Sequence, residues 1–98
     1  MYKKMNTDAV DHVFDAILCL NTREDCYNFF EDLCTINELV SLSQRLEVAR
    51  MLKDGKTFME ITKKTGVSTA TISRVNNCLK KKDNCGYEMV LARLKKEN

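Results

Sequence analysis

The sequence predicts an all-α protein, and three observations support this fold class. The 98 residues include no proline and only three glycines, whereas a strand-rich domain needs many turn residues. Apolar residues recur at helical spacing along most of the chain. Residues that commonly begin or end helices separate these apolar segments. A chain of this length forms at most one compact domain, and we expect residues 1–98 to form it.

Capping residues predict the first two helices. Asp8 or Thr7 can cap a helix whose apolar residues share one side. These apolar residues are Val10, Val13, Phe14, Ile17, Leu18 and Leu20. Thr22 precedes an acidic first turn, which suits the helix dipole. The segment 26–34 is apolar around much of its circumference, which predicts burial on more than one side.

Capping boxes predict two further helix starts. Thr35 and Glu38 have the spacing of one such box, and Thr57 and Glu60 have that of another. After Thr35 we expect either one helix or a break near Ser41–Ser43, with the helix stopping at a glycine. That glycine is Gly55, and the predicted inner face holds Leu42, Leu46, Ala49 and Leu52 or Lys53. A last amphipathic helix follows the polar connector 80–86.

Residues 57–79 have the pattern of a helix-turn-helix. Gly66 can take the positive φ that a sharp chain reversal needs, and Ser68 can cap the second helix. The apolar residues that would fill the corner and pack the two helices together are Ile61, Val67, Ile72 and Val75. A glycine, a β-branched residue, a serine cap and a later isoleucine at these offsets are typical of this motif.

The side chains left outward on this motif are candidate DNA contacts. Small hydroxyl and methyl groups at the start of the second helix can approach base edges in the major groove, and lysines nearby can reach phosphates. The candidate DNA-binding residues are Thr57, Lys63, Lys64, Ser68, Thr69, Ala70, Thr71, Ser73, Arg74 and Asn77. Asn76 and Lys80–Lys82 extend the same surface. The lysines have an alternative interpretation as ordinary solvated charge.

Charge divides the chain into an acidic and a basic part. Residues 1–38 hold three basic and eight acidic residues, a formal charge of −5. Residues 39–98 hold thirteen basic and six acidic residues, a formal charge of +7. The division indicates that the C-terminal part faces a polyanion, although charge kept for solubility would give the same totals. Because no aromatic residues interleave with the basic ones, we expect double-stranded rather than single-stranded DNA.

Several other functional classes lack the residues they need. His12 is the only histidine, so a histidine-based triad or a multi-histidine metal site cannot form within one chain. The three glycines do not form a phosphate-binding loop. Neighbouring carboxylates such as Glu24 and Asp25, or Glu31 and Asp32, point apart on a helix. We therefore expect no enzymatic activity, no metal and no cofactor.

The cysteines and the apolar runs bear on the compartment. Cys19, Cys26, Cys34, Cys78 and Cys85 are odd in number and are never spaced as C-x-x-C. We expect them to be small buried apolar residues in a reducing cytoplasm rather than disulfide partners or zinc ligands. No apolar run approaches the roughly 18 residues of a membrane span. The segment 1–12 has no secretory signal, so we expect a cytoplasmic protein that does not bind membranes.

Several segments together resemble the Trp repressor superfamily, and most closely its YerC/YecD branch of small bacterial proteins. They are residues 33–52 (LCTINELVSLSQRLEVARML), 65–75 (TGVSTATISRV), Cys78–Leu79 and 86–94 (GYEMVLARL). The resemblance implies a Trp repressor-like helical bundle that forms an intertwined homodimer. In such a dimer, residues 8–34 are the N-terminal dimerisation helices, 57–79 the helix-turn-helix and 86–97 the C-terminal helix.

The resemblance also implies a possible effector pocket. Arg45 and Arg74 match two arginines that hold the indole of tryptophan in Trp repressors, and Thr35 matches a threonine at the amino-acid end of that ligand. Val75 stands where the pocket has a glycine, and Cys78 replaces a serine. An isopropyl group in that space would clash with a flat ring. We therefore expect that tryptophan is not the effector, and the identity or existence of a small-molecule corepressor stays open.

The leading hypothesis is a homodimeric transcriptional regulator that binds double-stranded DNA at a specific sequence and most simply acts as a repressor. Arg45 has an alternative interpretation as an ion-pair partner of Glu38 or Glu47, and Arg74 as a phosphate contact or a helix-stabilising pair. Two alternative functions also fit the sequence. One is a DNA-associated dimeric protein-interaction module, and the other is a factor that controls replication or initiation.

Overall fold

The computed structural model describes residues 7–81 and 85–97, and these residues form helices and connecting turns without any strand. The predicted all-α class is therefore confirmed. The six helices are α1 (Asp8–Leu18), α2 (Arg23–Leu33), α3 (Ile36–Lys53), α4 (Phe58–Thr65), α5 (Thr69–Lys80) and α6 (Gly86–Glu97). None of these helices is long and apolar enough to cross a membrane.

Side-chain caps begin the first three helices at the predicted places. Thr7, not Asp8, caps α1, because the Val10 amide donates to the Thr7 hydroxyl at 3.2 Å. Thr22 caps α2 in the same way by accepting from the Asp25 amide at 3.0 Å. At the start of α3, the Thr35 amide donates to Glu38 Oε1 at 2.8 Å and the Glu38 amide donates to Thr35 Oγ1 at 3.1 Å. Each cap satisfies amides that the helix itself leaves without partners.

The third helix is continuous, so the alternative with a break near Ser41–Ser43 is wrong. It stops where predicted, because Gly55 has a φ of 82° and closes a double hydrogen-bonded turn. The Gly55 amide donates to the Leu52 carbonyl at 3.0 Å, and the Lys56 amide donates to the Met51 carbonyl at 3.0 Å. This pair of bonds is the Schellman motif, which turns the chain away from a helix end.

The chain divides into two compact units, Met1–Leu39 and Val40–Asn98. Leu39 is uncharged, so the two units carry the same formal charges of −5 and +7 as the sequence segments 1–38 and 39–98. The predicted boundary between an acidic and a basic part is thus also a structural boundary. We term the second unit the head. The expectation that residues 1–98 form one domain stays a prediction.

The first unit leaves much of its apolar surface uncovered. Among residues 7–39 no side chain is buried, and on α1 and α2 the exposed fractions reach 53% at Phe14, 82% at Leu18 and 66% at Tyr27. The prediction that the segment 26–34 is buried on more than one side is therefore wrong for a single chain, whose first unit is too small to surround α2.

The head is built around a core of seven buried side chains. They are Val48, Ala49, Met51, Ile61, Val67, Ile72 and Val75, with Leu52, Phe58, Leu79, Tyr87 and Leu91 packed against them. The predicted inner face of α3 is wrong at Leu42, which is 44% exposed. The reason is that α3 joins this core through its last turns, whereas Leu42 lies near the helix start.

The cysteines differ from the prediction of burial. Cys19 and Cys26 are exposed, whereas Cys34, Cys78 and Cys85 are half-buried, and all five are free thiols. The prediction that they are buried residues is therefore wrong, since no side chain of residues 7–39 is buried and the core of the head is formed by other residues. The connector residues 82–84 lie outside the described residues.

Replacing Ile61 with alanine is expected to lower the free energy of unfolding by about 2–5 kcal/mol, because it removes buried methylenes and leaves a cavity. Met59 lies two residues earlier on the same helix and is 82% exposed, whereas Ile61 is 0% exposed. The matched variant Met59→Ala should therefore change the free energy by less than about 0.5 kcal/mol. Urea unfolding at one fixed protein concentration measures both, and equal losses would contradict the burial of Ile61.

Candidate nucleic-acid interface

The predicted helix-turn-helix is present and consists of α4, the turn at Gly66 and α5. Gly66 has a φ of 77°, a left-handed conformation, and its amide donates to the Thr62 carbonyl at 2.8 Å to end α4. Val67 is 8% exposed and fills the corner, as its position after the glycine predicted. Ile72 and Val75 are 0% and 2% exposed. The side of α5 that carries them is therefore fixed against the head core.

A polar network that the sequence analysis missed holds the turn. The Thr65 hydroxyl donates to the Ile61 carbonyl at 2.7 Å and accepts from the Val67 amide at 3.3 Å. From α3, Gln44 Nε2 donates to the Thr65 carbonyl at 3.2 Å. A threonine just before a helix-ending glycine is a local signal for the first two bonds. Nothing in the sequence signals the third bond, because its partners lie 21 residues apart.

The start of α5 is capped by a hydroxyl pair. The Thr71 amide donates to Ser68 Oγ at 3.2 Å, and Ser68 Oγ donates to Thr71 Oγ1 at 3.3 Å. Ser68 is the predicted cap. Thr71 was predicted to point outward but is half-buried, because its side chain lies against the cap. Asn76, also predicted to be outward, is half-buried as well.

The outward face of α5 consists of small and polar side chains. The exposed residues on it are Thr69, Ala70, Ser73, Arg74 and Asn77. Residues 69, 73 and 77 are spaced by four and therefore form one stripe along the helix, with 70 and 74 beside it. Five of the predicted DNA-binding residues thus share one continuous exposed face, opposite the side that is packed in the core.

The electrostatics of this face favour an anion. The first turn of α5 contains no acidic residue, whereas each of the other five described helices has at least one there. The positive end of the α5 dipole is therefore not compensated by a carboxylate of its own helix. Lys63 and Lys64 are exposed in the last turn of α4, and Lys80 and Lys81 are exposed at the end of α5. Lys82 lies outside the described residues.

The start of α4, in contrast, has a carboxylate of its own helix beside the positive end of the helix dipole. The Thr57 amide donates to Glu60 Oε1 at 3.0 Å, and the Glu60 amide donates to Thr57 Oγ1 at 3.1 Å. Hydrogen bonding of the Glu60 carboxylate by the Thr57 backbone amide, and then by the Thr57 side chain, holds the pKa of Glu60 below its ordinary value of 4.5. The same arrangement with Thr35 lowers the pKa of Glu38. The side chain of Thr57 is therefore part of the cap of its own helix.

The residues that the resemblance implies for an effector pocket differ in exposure and in the unit to which they belong. Thr35 is exposed in the first unit, Arg45 is half-buried on α3, and Arg74 is exposed on α5. Cys78 is half-buried, whereas Val75 is buried within the head core. Neither arginine forms an ion pair with another described residue, so the alternative in which Arg45 pairs with Glu38 or Glu47 is wrong, whereas a helix-stabilising pair of Arg74 stays an alternative. Within residues 7–81 and 85–97, an ion pair joins Lys53 Nζ to Glu88 Oε1 at 2.9 Å.

Metal-ligating side chains do not converge in the parts of the chain that the structure describes. No three of their His, Cys, Asp or Glu residues lie close enough together to hold an ion. His12 is exposed on α1.

The chain matches known proteins along nearly its whole length. The family model described as Trp repressor protein matches residues 8–95. An uncharacterised protein of Bacillus subtilis, YerC, is 55% identical over 92 residues, which are 94% of this chain and 88% of that protein. These two matches confirm the resemblance that the motifs indicated.

Two solved structures agree with the fold. The crystal structure of a TrpR-like protein from Eubacterium eligens has a TM-score of 0.88 and 54% identity, and the match covers 95% of each chain. A crystal structure from Staphylococcus aureus has a TM-score of 0.87 and 53% identity, and it covers 95% of this chain and 92% of that one.

Replacing Gly66 with alanine is expected to lower the free energy of unfolding by about 1–2 kcal/mol, because an L side chain is disfavoured at a left-handed φ. The added Cβ would meet nothing within 4 Å at either Gly66 or Gly86, and only Gly66 of the two has a positive φ. Gly86→Ala is therefore the matched control. Urea unfolding should show no loss of stability for Gly86→Ala, and an equal loss at both sites would contradict the assigned turn.

Proposed function

This chain belongs to the Trp repressor family of DNA-binding regulators, and we propose that it reads a specific sequence of double-stranded DNA as a homodimer and represses the genes beside that sequence. The observation that carries the proposal is the outward face of α5. It begins at a hydroxyl-capped helix end, bears no acidic residue and is held by a buried core. A cytoplasmic location follows from the same proposal, because that is where the DNA of a bacterium lies.

Base reading is assigned to the start of α5. In helix-turn-helix proteins the N-terminal residues of the second helix contact base edges in the major groove. Thr69, Ala70 and Ser73 are small enough to let the helix approach closely, and their methyl and hydroxyl groups suit thymine methyls and base-edge acceptors. Arg74 and Asn77 lie further along and can reach a guanine edge, an adenine edge or a phosphate. Thr71 contributes through the cap, because its hydroxyl is already bonded to Ser68.

Positioning on the duplex is assigned to the lysines beside that face. Lys63 and Lys64 belong to α4, and the first helix of the motif crosses the DNA backbone. Lys80 and Lys81 stand at the other end of α5. Contacts of ammonium groups to phosphates supply affinity without sequence information. The +7 charge of the head supports this assignment, because it would attract any DNA before a sequence is read.

The homodimer is supported by the uncovered apolar surface of the first unit. Leu18 is 82% exposed and Tyr27 is 66% exposed, and an exposed apolar surface of this kind marks an interaction site. A second copy would cover such residues and enlarge a core that a short chain cannot complete alone. A two-fold dimer presents two heads to major grooves about one helical turn apart, so the DNA site should be palindromic.

Tryptophan is not proposed as the effector. Val75 is 2% exposed and packs in the head core, so its isopropyl group is part of what holds α5. A flat ring beside it would have to displace core side chains, which are closely packed. Titration calorimetry with L-tryptophan should therefore give no measurable heat of binding. A dissociation constant in the micromolar range would contradict this expectation.

Arg74→Ala is expected to weaken binding to the preferred DNA sequence by about 1–3 kcal/mol, because it removes a guanidinium from the face assigned to base edges. The free energy of unfolding should stay within about 0.5 kcal/mol of the original chain, because Arg74 is exposed and forms no ion pair with another described residue. Arg23→Ala in the first unit is the matched control, since Arg23 is also exposed. Gel-shift titration against a sequence selected from a random pool measures the DNA affinity of each protein, and urea unfolding measures its stability. Equal affinities for all three proteins would remove Arg74 from the interface.

The same titration decides the function itself. The original chain should bind the selected duplex at least about a thousandfold more tightly than a scrambled duplex at the same salt concentration. A ratio near one would overturn sequence-specific regulation and favour a DNA-associated interaction module. A search for the selected sequence beside genes then separates transcription from control of replication.

Leu18→Glu is expected to dissociate the dimer, because it places a charge on the apolar surface that the second copy covers. Met59 is also 82% exposed but belongs to the head, so Met59→Glu is the matched control and should stay dimeric. Sedimentation measures the mass of each. A mass of 11.3 kDa for the original chain would show a monomer and contradict the proposed assembly.

A further inference from the structure

Gln44 makes a hydrogen bond in the head that joins α3 to the helix-turn-helix. Its Nε2 donates to the Thr65 carbonyl at 3.2 Å, and the bond is partly buried. Thr65 is the last residue of α4, where carbonyls have no partner within the helix. Gln44 thus satisfies an acceptor that would be costly to leave alone in a partly buried place.

Thr65 passes this restraint to the turn. Its hydroxyl donates to the Ile61 carbonyl at 2.7 Å and accepts from the Val67 amide at 3.3 Å. Val67 is directly followed by Ser68, which caps α5. A continuous series of hydrogen bonds therefore leads from α3 through the end of α4 to the residue before the α5 cap.

The apolar core alone does not fix the angle of the motif so closely. Val48 lies one turn after Gln44 on α3 and therefore on the same side of the helix, and it is buried in the core of the head. Apolar contacts are non-directional, so they hold surfaces together while they tolerate small rotations. A hydrogen bond weakens steeply as its angle departs from the preferred range. Gln44 therefore adds a directional restraint at the edge of the apolar core.

We propose that Gln44 is a positioning residue for sequence reading. Its hydrogen bond to Thr65 sets the orientation of the turn and of α5 relative to α3. The proposal rests on the proposed function, since it concerns the face of α5 assigned to base edges. Base contacts need the helix start at one depth and angle in the groove, whereas phosphate contacts tolerate sliding. Loss of the bond should therefore reduce specific binding and spare non-specific binding.

The test compares Gln44→Met with Leu91→Ala. Methionine keeps the length of the side chain but cannot donate, so it removes the hydrogen bond alone. Leu91 packs against the head core from α6, so Leu91→Ala destabilises the head without touching the bond. Fluorescence anisotropy at one salt concentration gives the affinity of each protein for the selected duplex and for a scrambled duplex.

The expected result is a change in the ratio of the two affinities. Gln44→Met should lower it by about tenfold, the effect of one mismatched base pair, with the scrambled duplex bound as before. Gln44→Glu should lower it at least as far, because a carboxylate cannot donate to the carbonyl and would repel it. Leu91→Ala should keep the original ratio even though it unfolds at lower urea. An unchanged ratio in Gln44→Met, or an equal fall in Leu91→Ala, would overturn the proposal.

A second measurement separates this proposal from the function on which it rests. Backbone amide chemical shifts of Gly66 and Val67 should change in Gln44→Met and stay in place in Leu91→Ala. If the original chain does not distinguish the two duplexes, the proposed function fails, and sequence reading by Gln44 fails with it. If it does distinguish them but the shifts and the ratio are the same in Gln44→Met, the positioning role alone is overturned.

Discussion

The packing of Ile61, Ile72 and Val75 in one buried core is the constraint on which the remainder of the head depends. Ile72 and Val75 are three residues apart, so they fix one side of α5 inward. With that side turned inward, Thr69, Ser73 and their neighbours lie on the opposite, exposed side of α5. The outward face that we propose for DNA contact is therefore a consequence of the core.

The two units divide the physical tasks of the chain. The head carries the buried residues and the positive charge, whereas the first unit carries negative charge and exposed apolar side chains such as Leu18 and Tyr27. Negative charge on the first unit would oppose its contact with a phosphate backbone. Its apolar surface suits a protein partner instead. The proposed DNA contact and the proposed dimer contact thus belong to separate parts of a chain of 98 residues.

The sequence predicted those features that local rules determine. The caps at Thr22 and Ser68, the positive φ of Gly66 and the inward direction of Ile61 each depend on residues within four positions, so they could be assigned correctly. Most of the errors concern burial, which depends on distant parts of the chain. Leu42 fits a helical stripe but lies away from the core that α3 reaches through Val48. The bond from Gln44 to Thr65 leaves no local pattern, so only the folded chain shows it.

Val75 connects the core to the question of regulation. A glycine at this position, as the resemblance to Trp repressors implies for their pocket, leaves space beside the second helix that a ligand can fill. Here a β-branched side chain, stiff about its first torsion, packs into the core, and Gln44 restrains the neighbouring turn from α3. Both interactions come from the chain itself. The position of α5 in the head is therefore restrained by residues of the chain itself, and Val75 takes the space that a glycine would leave for a ligand.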